Sequence, residues 1–293
     1  MLHRLSRLAC GAFIVAALAH APSARSQAQA WAWDDATVPF VATPDEVVDR
    51  MLRIAEVGPD DTLIDLGSGD GRIVIGAARR GARALGVDID ASLVAAARAN
   101  AARAGVASRT RFEQRDLYET DLAGASVITM YLLPEVNMKL RPRLLALAPG
   151  TRIVSHDWDM TDWPADETIE LRAPEKAVGA DGTAKVFLWV VPADARGDWS
   201  GEIPGYANAL RLNIRQKFQM LEVEARSGAR ELVVRGTRLR GREIKLVVTG
   251  AVVRRPMHHL FAGILHGDRI DGEVVVSDGE NRRSYPWTAH RLR

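Results

Sequence analysis

The chain has 293 residues, 47% hydrophobic and 26% charged, which is ordinary for a globular protein with room for two domains. Its net charge of +2 gives no argument for bulk binding of nucleic acid, and we expect no nucleic-acid partner. The single cysteine, Cys10, lies near the amino terminus. If the amino-terminal segment that contains Cys10 is removed, the remaining chain has no thiol, which excludes disulfides, cysteine-rich zinc sites and thiol catalysis.

Residues 1–30 have the pattern of a secretory signal peptide. Arg4 and Arg7 precede an apolar run of 12 residues, which is too short to span a bilayer comfortably. Two small-x-small patterns, at 19–21 and 28–30, fit a cleavage site. We therefore expect an exported, periplasmic protein, with a membrane-anchored or cytoplasmic protein as the alternative.

The segment Pro39-Phe-Val-Ala-Thr-Pro44 leads into the first predicted helix. Thr43 suits the N-cap, Pro44 suits the first helical position, and Glu46 completes a capping box. The segment could instead close over a cofactor, but we favour a simple helix start.

A glycine-rich loop follows the first predicted strand, residues 62–66. Asp65 precedes Gly67, Gly69 and Gly71 at alternate positions, and a helical pattern begins at Arg72. The loop lacks the Gly-Lys-Ser/Thr of a P-loop and the G-x-G-x-x-G of a dinucleotide site. Its acid repels phosphate and suits a cationic group. The second predicted strand ends at Asp88, where an acid can accept hydrogen bonds from ribose hydroxyls.

Strand and helix patterns alternate from residue 62 to 191, which predicts an α/β fold with a doubly wound, mainly parallel sheet of seven strands. The predicted strands are 62–66, 84–88, 110–115, 126–133, 151–156, 168–172 and 184–191. The predicted helices between them are 72–80, 91–104 and 135–147.

The sequence pattern changes after Pro192. Residues 193–206 are rich in Gly, Asp and Pro, which predicts a linker between a first domain over 31–192 and a second over 207–293. The second domain has strand alternation with regularly spaced glycines, which predicts an antiparallel all-β barrel or sandwich. Two hairpins are expected, at Gly241 and at Gly267. We predict no metal site, and we interpret His258, His259 and His266 as surface residues.

The glycine loop with Asp88 closely resembles the class I S-adenosylmethionine (SAM)-dependent methyltransferases. The segments Tyr131-Leu-Leu-Pro-Glu135, 39–44 and Gly150-Thr-Arg-Ile-Val-Ser-His-Asp157 further resemble the membrane-anchored mitochondrial protein-lysine methyltransferases and their bacterial relatives. The resemblance covers about residues 37–165. The chain departs from the pattern at Phe40, where the family more often has tyrosine, at Asp88, where glutamate also occurs, and throughout its second domain.

This resemblance implies a Rossmann-like methyltransferase sheet with an antiparallel final strand, and SAM as the cofactor. It places Asp116 beside the adenine amino group, with Leu117 supplying an apolar contact or a backbone N–H, although Asp116 could also be a helix-capping residue. The implied cofactor-binding residues are Asp65, Gly67, Ser68, Gly69, Gly71, Asp88, Ile89, Asp116 and Leu117.

A lysine acceptor needs an acidic, partly buried mouth that binds the ammonium group and takes its proton. Candidate catalytic residues are Glu135, Asp157 and Tyr131, with Asp159 and His156 in support. The alternative is that each is an ordinary polar residue at a strand end. Trp158 and Trp163 could line an acceptor channel, although core packing is the favoured interpretation.

The primary hypothesis is an enzyme that transfers a methyl group from SAM, with a protein lysine as the suggested acceptor and with membrane association. One alternative is an exported, non-catalytic Rossmann-like protein whose β-domain binds an envelope ligand or partner, since SAM is made in the cytoplasm. Another is a methyltransferase for a small molecule or lipid.

Overall fold

The structure, a computed structural model, describes residues 40–177, 182–252 and 255–293. The predicted signal peptide and Cys10 lie outside the described residues. None of the helices within these ranges combines the length and apolarity needed to cross a membrane.

The first domain is built on the predicted seven-stranded sheet, in the order β3-β2-β1-β4-β5-β7-β6. All neighbouring pairs are parallel except those of β7, which runs antiparallel to both β5 and β6. The strands are β1 (Thr62–Leu66), β2 (Arg83–Asp88), β3 (Thr110–Gln114), β4 (Val127–Met130), β5 (Arg152–His156), β6 (Glu167–Arg172) and β7 (Thr183–Val190). The strand order reverses between β1 and β4, which is where open α/β sheets place their ligands.

Helices connect the strands and pack apolar faces on the sheet. They are α1 (Asp45–Ile54), α2 (Arg72–Arg79), α3 (Ala91–Arg103) and α4 (Pro134–Leu145), with short 3₁₀ helices at Ala107–Arg109 and Leu117–Glu119. The predicted cap of α1 is wrong: Pro44 occupies the N-cap position, without a side-chain cap. Thr43 is buried, and its hydroxyl instead lies 3.3 Å from Nδ1 of His156.

The second domain is a closed eight-stranded barrel, in the order β10-β11-β12-β13-β14-β15-β8-β9. Of the two predicted architectures, a barrel or a sandwich, the barrel is therefore the one observed. The strands are β8 (Gly197–Gly201), β9 (Leu210–Lys217), β10 (Met220–Ser227), β11 (Arg230–Arg240), β12 (Glu243–Val252), β13 (Arg255–His266), β14 (Arg269–Ser277) and β15 (Arg282–Arg291). Both predicted hairpins are confirmed, with φ of 58° at Gly241 and 64° at Gly267. His259 is fully buried, so its interpretation as a surface residue is wrong.

The predicted linker, residues 193–206, belongs largely to the barrel. Strand β8 lies within it and pairs with both β9 and β15, which closes the barrel. Ala195 and Trp199 are fully buried, and the Trp199 indole donates a hydrogen bond of 2.9 Å to the Ala195 carbonyl. The glycines at both ends of this short strand produced the linker-like composition. The second domain therefore begins near residue 193 instead of 207.

The turn between β9 and β10 contacts the first domain. Phe218 has φ of 55° at this turn, and its ring stacks on Trp163 at 5.8 Å between centroids. The Trp163 indole donates a hydrogen bond of 3.0 Å to Oε1 of Gln219. Trp163 is buried, as the core-packing interpretation predicted, but Trp158 is 39% exposed, so that interpretation is wrong for Trp158.

Candidate active site

The glycine loop lies at the carboxyl end of β1, beside β2. Gly67, Gly69 and Gly71 have φ of 76°, 52° and 83°, a region that residues with a Cβ atom rarely adopt. The amide groups of Gly67 and Ser68 both donate to the Val87 carbonyl at 2.9 Å, which fixes the loop against β2. The result is an open turn of backbone at the point where the strand order reverses.

Asp65 is a buried carboxyl group at this turn, only 2% exposed. The Thr129 hydroxyl donates to its Oδ1 at 2.7 Å. Burial raises the pKa of Asp65 to about 7; the Thr129 hydrogen bond opposes the rise, whereas the charges of Asp88 and Asp70 add to it. A cationic group that reaches Asp65 would therefore gain a strong electrostatic interaction in a poorly solvated place.

Asp88 ends β2 and helps to fix the loop. Its Oδ2 accepts a hydrogen bond of 2.8 Å from the Gly69 amide, and its Oδ1 accepts one of 3.0 Å from the Asp90 amide. Each carboxylate oxygen can accept a further bond, so the group can still bind two hydroxyls. Ile89 follows with 64% of its surface exposed, which offers an apolar face next to that carboxylate.

Asp116 follows β3 and caps the 3₁₀ helix Leu117–Glu119. Its Oδ1 accepts a hydrogen bond of 2.7 Å from the Tyr118 amide, so the capping alternative describes a contact that is present. Leu117 is half-buried beside it. Since β1, β2 and β3 are adjacent and parallel, Asp65, Asp88 and Asp116 lie at the same edge of the sheet.

Phe40 lies over the glycine loop. A Cβ atom added to Gly69 would come within 2.1 Å of its ring, so only glycine allows this contact. The ring keeps 45% of its surface exposed. Phe40, in the segment that leads into α1, thus contacts the loop, and closure of this segment over a ligand stays a prediction.

A second group of polar side chains follows β4 and β5. The Tyr131 hydroxyl donates to Oδ2 of Asp157 at 3.4 Å, and the Tyr131 ring lies 4.0 Å from the ring of His156. Burial, with the charge of Asp157, raises the pKa of Tyr131, so the phenol keeps its proton at neutral pH. The structure therefore brings together Tyr131, His156 and Asp157.

His156 is a neutral member of this group. It is fully buried, and burial lowers its pKa to about 4 despite the nearby carboxylate of Asp157. Its Nε2 lies 3.4 Å from Oδ2 of Asp157 but makes no hydrogen bond in the described part of the chain. A neutral imidazole forms no ion pair, so this contact does not join opposite charges.

Lys176, which no sequence pattern singled out, is the nearest side-chain partner of Asp157. Its Nζ lies 2.9 Å from Oδ2 of Asp157 and donates a hydrogen bond of 2.6 Å to the Thr183 carbonyl. The lysine side chain is only 9% exposed. It lies between β6 and β7, in a segment without a motif, and no signal in the sequence could have found it.

The other candidates lie apart from these contacts. Glu135 is exposed in the first turn of α4, so its catalytic role stays a prediction. Asp159 is exposed, and its Oδ1 accepts a hydrogen bond from the Thr161 amide at 3.0 Å. Asn137 was also missed: it is fully buried on α4 and donates to the Trp158 carbonyl at 3.2 Å, which supports the segment after β5. A polar residue at a core position of a helix was the signal available.

Comparison with known proteins places this site in a family. The family model described as the ANTKMT methyltransferase domain matches residues 65–167. A protein-lysine N-methyltransferase of Saccharolobus islandicus is 44% identical over 159 residues, which are 53% of this chain and 94% of that protein. The adenine nucleotide translocase lysine N-methyltransferase of Mus musculus is 33% identical over 53% of this chain, but the match spans only 63% of that protein.

One solved structure is also similar in sequence. It is described as an RNA methyltransferase from Salinibacter ruber in complex with S-adenosyl-L-homocysteine. It is 52% identical, with a TM-score of 0.47, and the match covers 53% of this chain and 95% of that one. The matches to these three proteins each cover 53% of this chain, and the family model covers less of it. On the 44% identity across nearly the whole S. islandicus protein, the chain belongs to the class I SAM-dependent methyltransferases, in the family that includes this protein-lysine N-methyltransferase.

Proposed function

We propose that the chain transfers a methyl group from SAM to the ε-amine of a lysine in a protein. The choice of a lysine as the acceptor rests on one contact. Asp157, with Tyr131 beside it, already binds the ammonium group of Lys176 at the carboxyl ends of the strands. A carboxylate that accepts such a group in a poorly solvated mouth has the chemistry that a lysine acceptor requires.

The cofactor residues fit SAM. The positive-φ glycine turn leaves backbone open to a ligand, and the desolvated Asp65 carboxyl suits the amino group of the methionine part. Asp88 would accept bonds from the ribose hydroxyls, and Ile89 with Leu117 would contact the adenine ring. When bound there, SAM supplies a methyl group that is already activated by its positive sulfur.

The protein's own residues have a limited task at the acceptor side. Asp157 binds the ammonium group and can accept a proton from it, and the protonated Tyr131 holds the carboxylate in place. His156 packs against Tyr131 and fixes the direction of its ring. Proximity and alignment then supply most of the rate, because the leaving group needs no further activation.

The relatives differ in the acceptor that their names state. The names of the S. islandicus and M. musculus proteins state a protein lysine as acceptor, whereas the S. ruber structure is described as an RNA methyltransferase. We favour protein lysine because the acceptor mouth holds an ammonium group and because the net charge of +2 is small for an RNA-binding chain. Export through residues 1–30 and association with a membrane remain part of the proposal.

The first test is calorimetric titration of SAM and S-adenosylhomocysteine into the full chain. We expect micromolar affinity that falls at least tenfold in Asp88→Ala, whereas Asp121→Ala, at an exposed acid whose side chain accepts, among the described residues, only the Ala123 amide, should bind as the wild type does. Lysine-containing peptides should then gain methyl groups on Nζ, and RNA should gain none. If the folded wild type binds neither compound, the proposed activity is wrong.

A further inference from the structure

We propose that Lys176 is a methyl acceptor of the chain itself, modified within the same molecule. This inference rests on the proposed function, because it takes the mouth formed by Tyr131 and Asp157 to be the acceptor site. It adds a modification site to that function and names its substrate, which is a primary amine of this chain.

The position of the amine carries the inference. Nζ of Lys176 lies 2.9 Å from Oδ2 of Asp157, the same oxygen that accepts the Tyr131 hydroxyl at 3.4 Å. The Thr183 carbonyl accepts a second bond from Nζ at 2.6 Å. The amine thus already occupies the place in which an acceptor lysine of another protein would have to bind.

Lys176 also differs from the other lysines of the chain. Only 9% of its side chain is exposed, whereas Lys139, Lys185, Lys217 and Lys245 are all exposed residues. Holding a long, charged side chain out of water costs solvation and rotamer entropy, which exposed lysines do not lose. A site that nevertheless keeps this amine is complementary to a lysine head group.

The transfer balances without a further reagent. Nζ gives up one proton to Asp157, which passes it to solvent, and the freed lone pair forms a bond to the methyl carbon of SAM. The bond between that carbon and sulfur breaks, its electron pair stays on sulfur, and S-adenosylhomocysteine leaves. Each cycle replaces one N–H of Lys176 with a methyl group.

Methylation would also change the contacts of Lys176. Nζ donates one bond to Asp157 and one to the Thr183 carbonyl, so a trimethylated amine, which has no N–H left, can make neither. We therefore expect modified Lys176 to leave Asp157 more readily, which would open the carboxylate to a second lysine.

The test is incubation of the full chain with SAM that carries a deuterated methyl group, followed by peptide mass spectrometry. We expect at least tenfold more label on Lys176 than on any of the four exposed lysines, which serve as internal controls for chemical methylation. The labelled fraction at a given time should be unchanged on tenfold dilution of the protein. Asp157→Asn and Tyr131→Phe should each lower the labelling of Lys176, and Asp88→Ala should lower it at least tenfold at SAM concentrations below saturation.

A second readout needs no cofactor. Acetylation with an N-hydroxysuccinimide ester should modify Lys176 at least tenfold more slowly than Lys185, and Asp157→Asn should remove that protection. Label spread evenly over all five lysines, or labelling that slows on dilution, would overturn the inference. Bound SAM with no label on Lys176 would overturn it and leave the proposed function standing, whereas absence of SAM binding would remove both.

Discussion

Replacing Asp65 with asparagine should make the protein more stable and less able to bind SAM. Burial raises the pKa of Asp65 from 3.8 to about 7 in the folded chain. Between these two values the unfolded chain has lost the proton and the folded chain still keeps it. The free energy of unfolding therefore falls as the pH rises through this window, by about 4 kcal/mol in all, since one pKa unit is worth about 1.36 kcal/mol.

Asparagine removes the ionisation but keeps the shape and an oxygen that can accept the Thr129 hydroxyl. Urea unfolding should give similar stabilities for wild type and Asp65→Asn at pH 4. At pH 8 the variant should be more stable, by up to about 4 kcal/mol. Asp121→Asn, at an exposed position, serves as the control and should show no such change.

Calorimetry on Asp65→Asn should show at least a tenfold loss of SAM affinity at pH 8. Wild-type binding should release protons near pH 7, because the ammonium group of the ligand favours the ionised carboxyl. If the stability difference between Asp65→Asn and the wild type does not grow with pH, Asp65 is not a desolvated carboxyl group whose burial cost is offset by ligand binding.

Two further predictions concern other parts of the structure. The wild type should lose stability as the pH falls from 6.5 to 4, because His156 takes up a proton in the unfolded chain before it does so in the folded chain. His156→Gln should remove this loss, which urea midpoints at pH 7 and pH 4.5 would show. Equal sensitivity to pH in both proteins would contradict a buried neutral imidazole. Gly241→Ala should lower the stability by about 1–3 kcal/mol, since a Cβ would lie 3.2 Å from Gly150 Cα and Val190 Cγ1 at a φ of 58°. Gly267→Ala, at a similar φ but with no atom near the added Cβ, should lower the stability by only about 1 kcal/mol. If both variants lower the melting temperature equally, the contact of Gly241 with Gly150 and Val190 does not limit the side chain at position 241.

The first domain could be predicted closely because its signals are local. Each strand is a short apolar run followed by a helical period, and β1 at Thr62–Leu66 has the bounds that the pattern predicted. The acids at the ends of β1 and β2 follow directly from those bounds, so Asp65 and Asp88 could be placed from spacing alone. The barrel was predicted less well, because β8 is five residues long and is recognised only by its partners at β9 and β15.

The proposed acceptor site depends on tertiary contacts. Tyr131 and Asp157 could be brought together because β4 and β5 were predicted as neighbouring elements. Lys176 could not, because its approach to Asp157 depends on how the chain passes from β6 to β7 and on the antiparallel pairing of β7 with β5. The neutral state of His156 likewise depends on burial, which no sequence pattern reports.

The closure of the barrel by β8 has a consequence for synthesis on the ribosome. Strand β8 is the first part of that domain to emerge, yet its partner β15 is the last of the eight strands to be made. Until Ala289 can pair with Gly201, the nascent sheet has unpaired edges that can bind other chains. The methyltransferase domain can complete its own sheet well before that moment, so the two domains should reach their native states in sequence, and the barrel should be the one that needs protection.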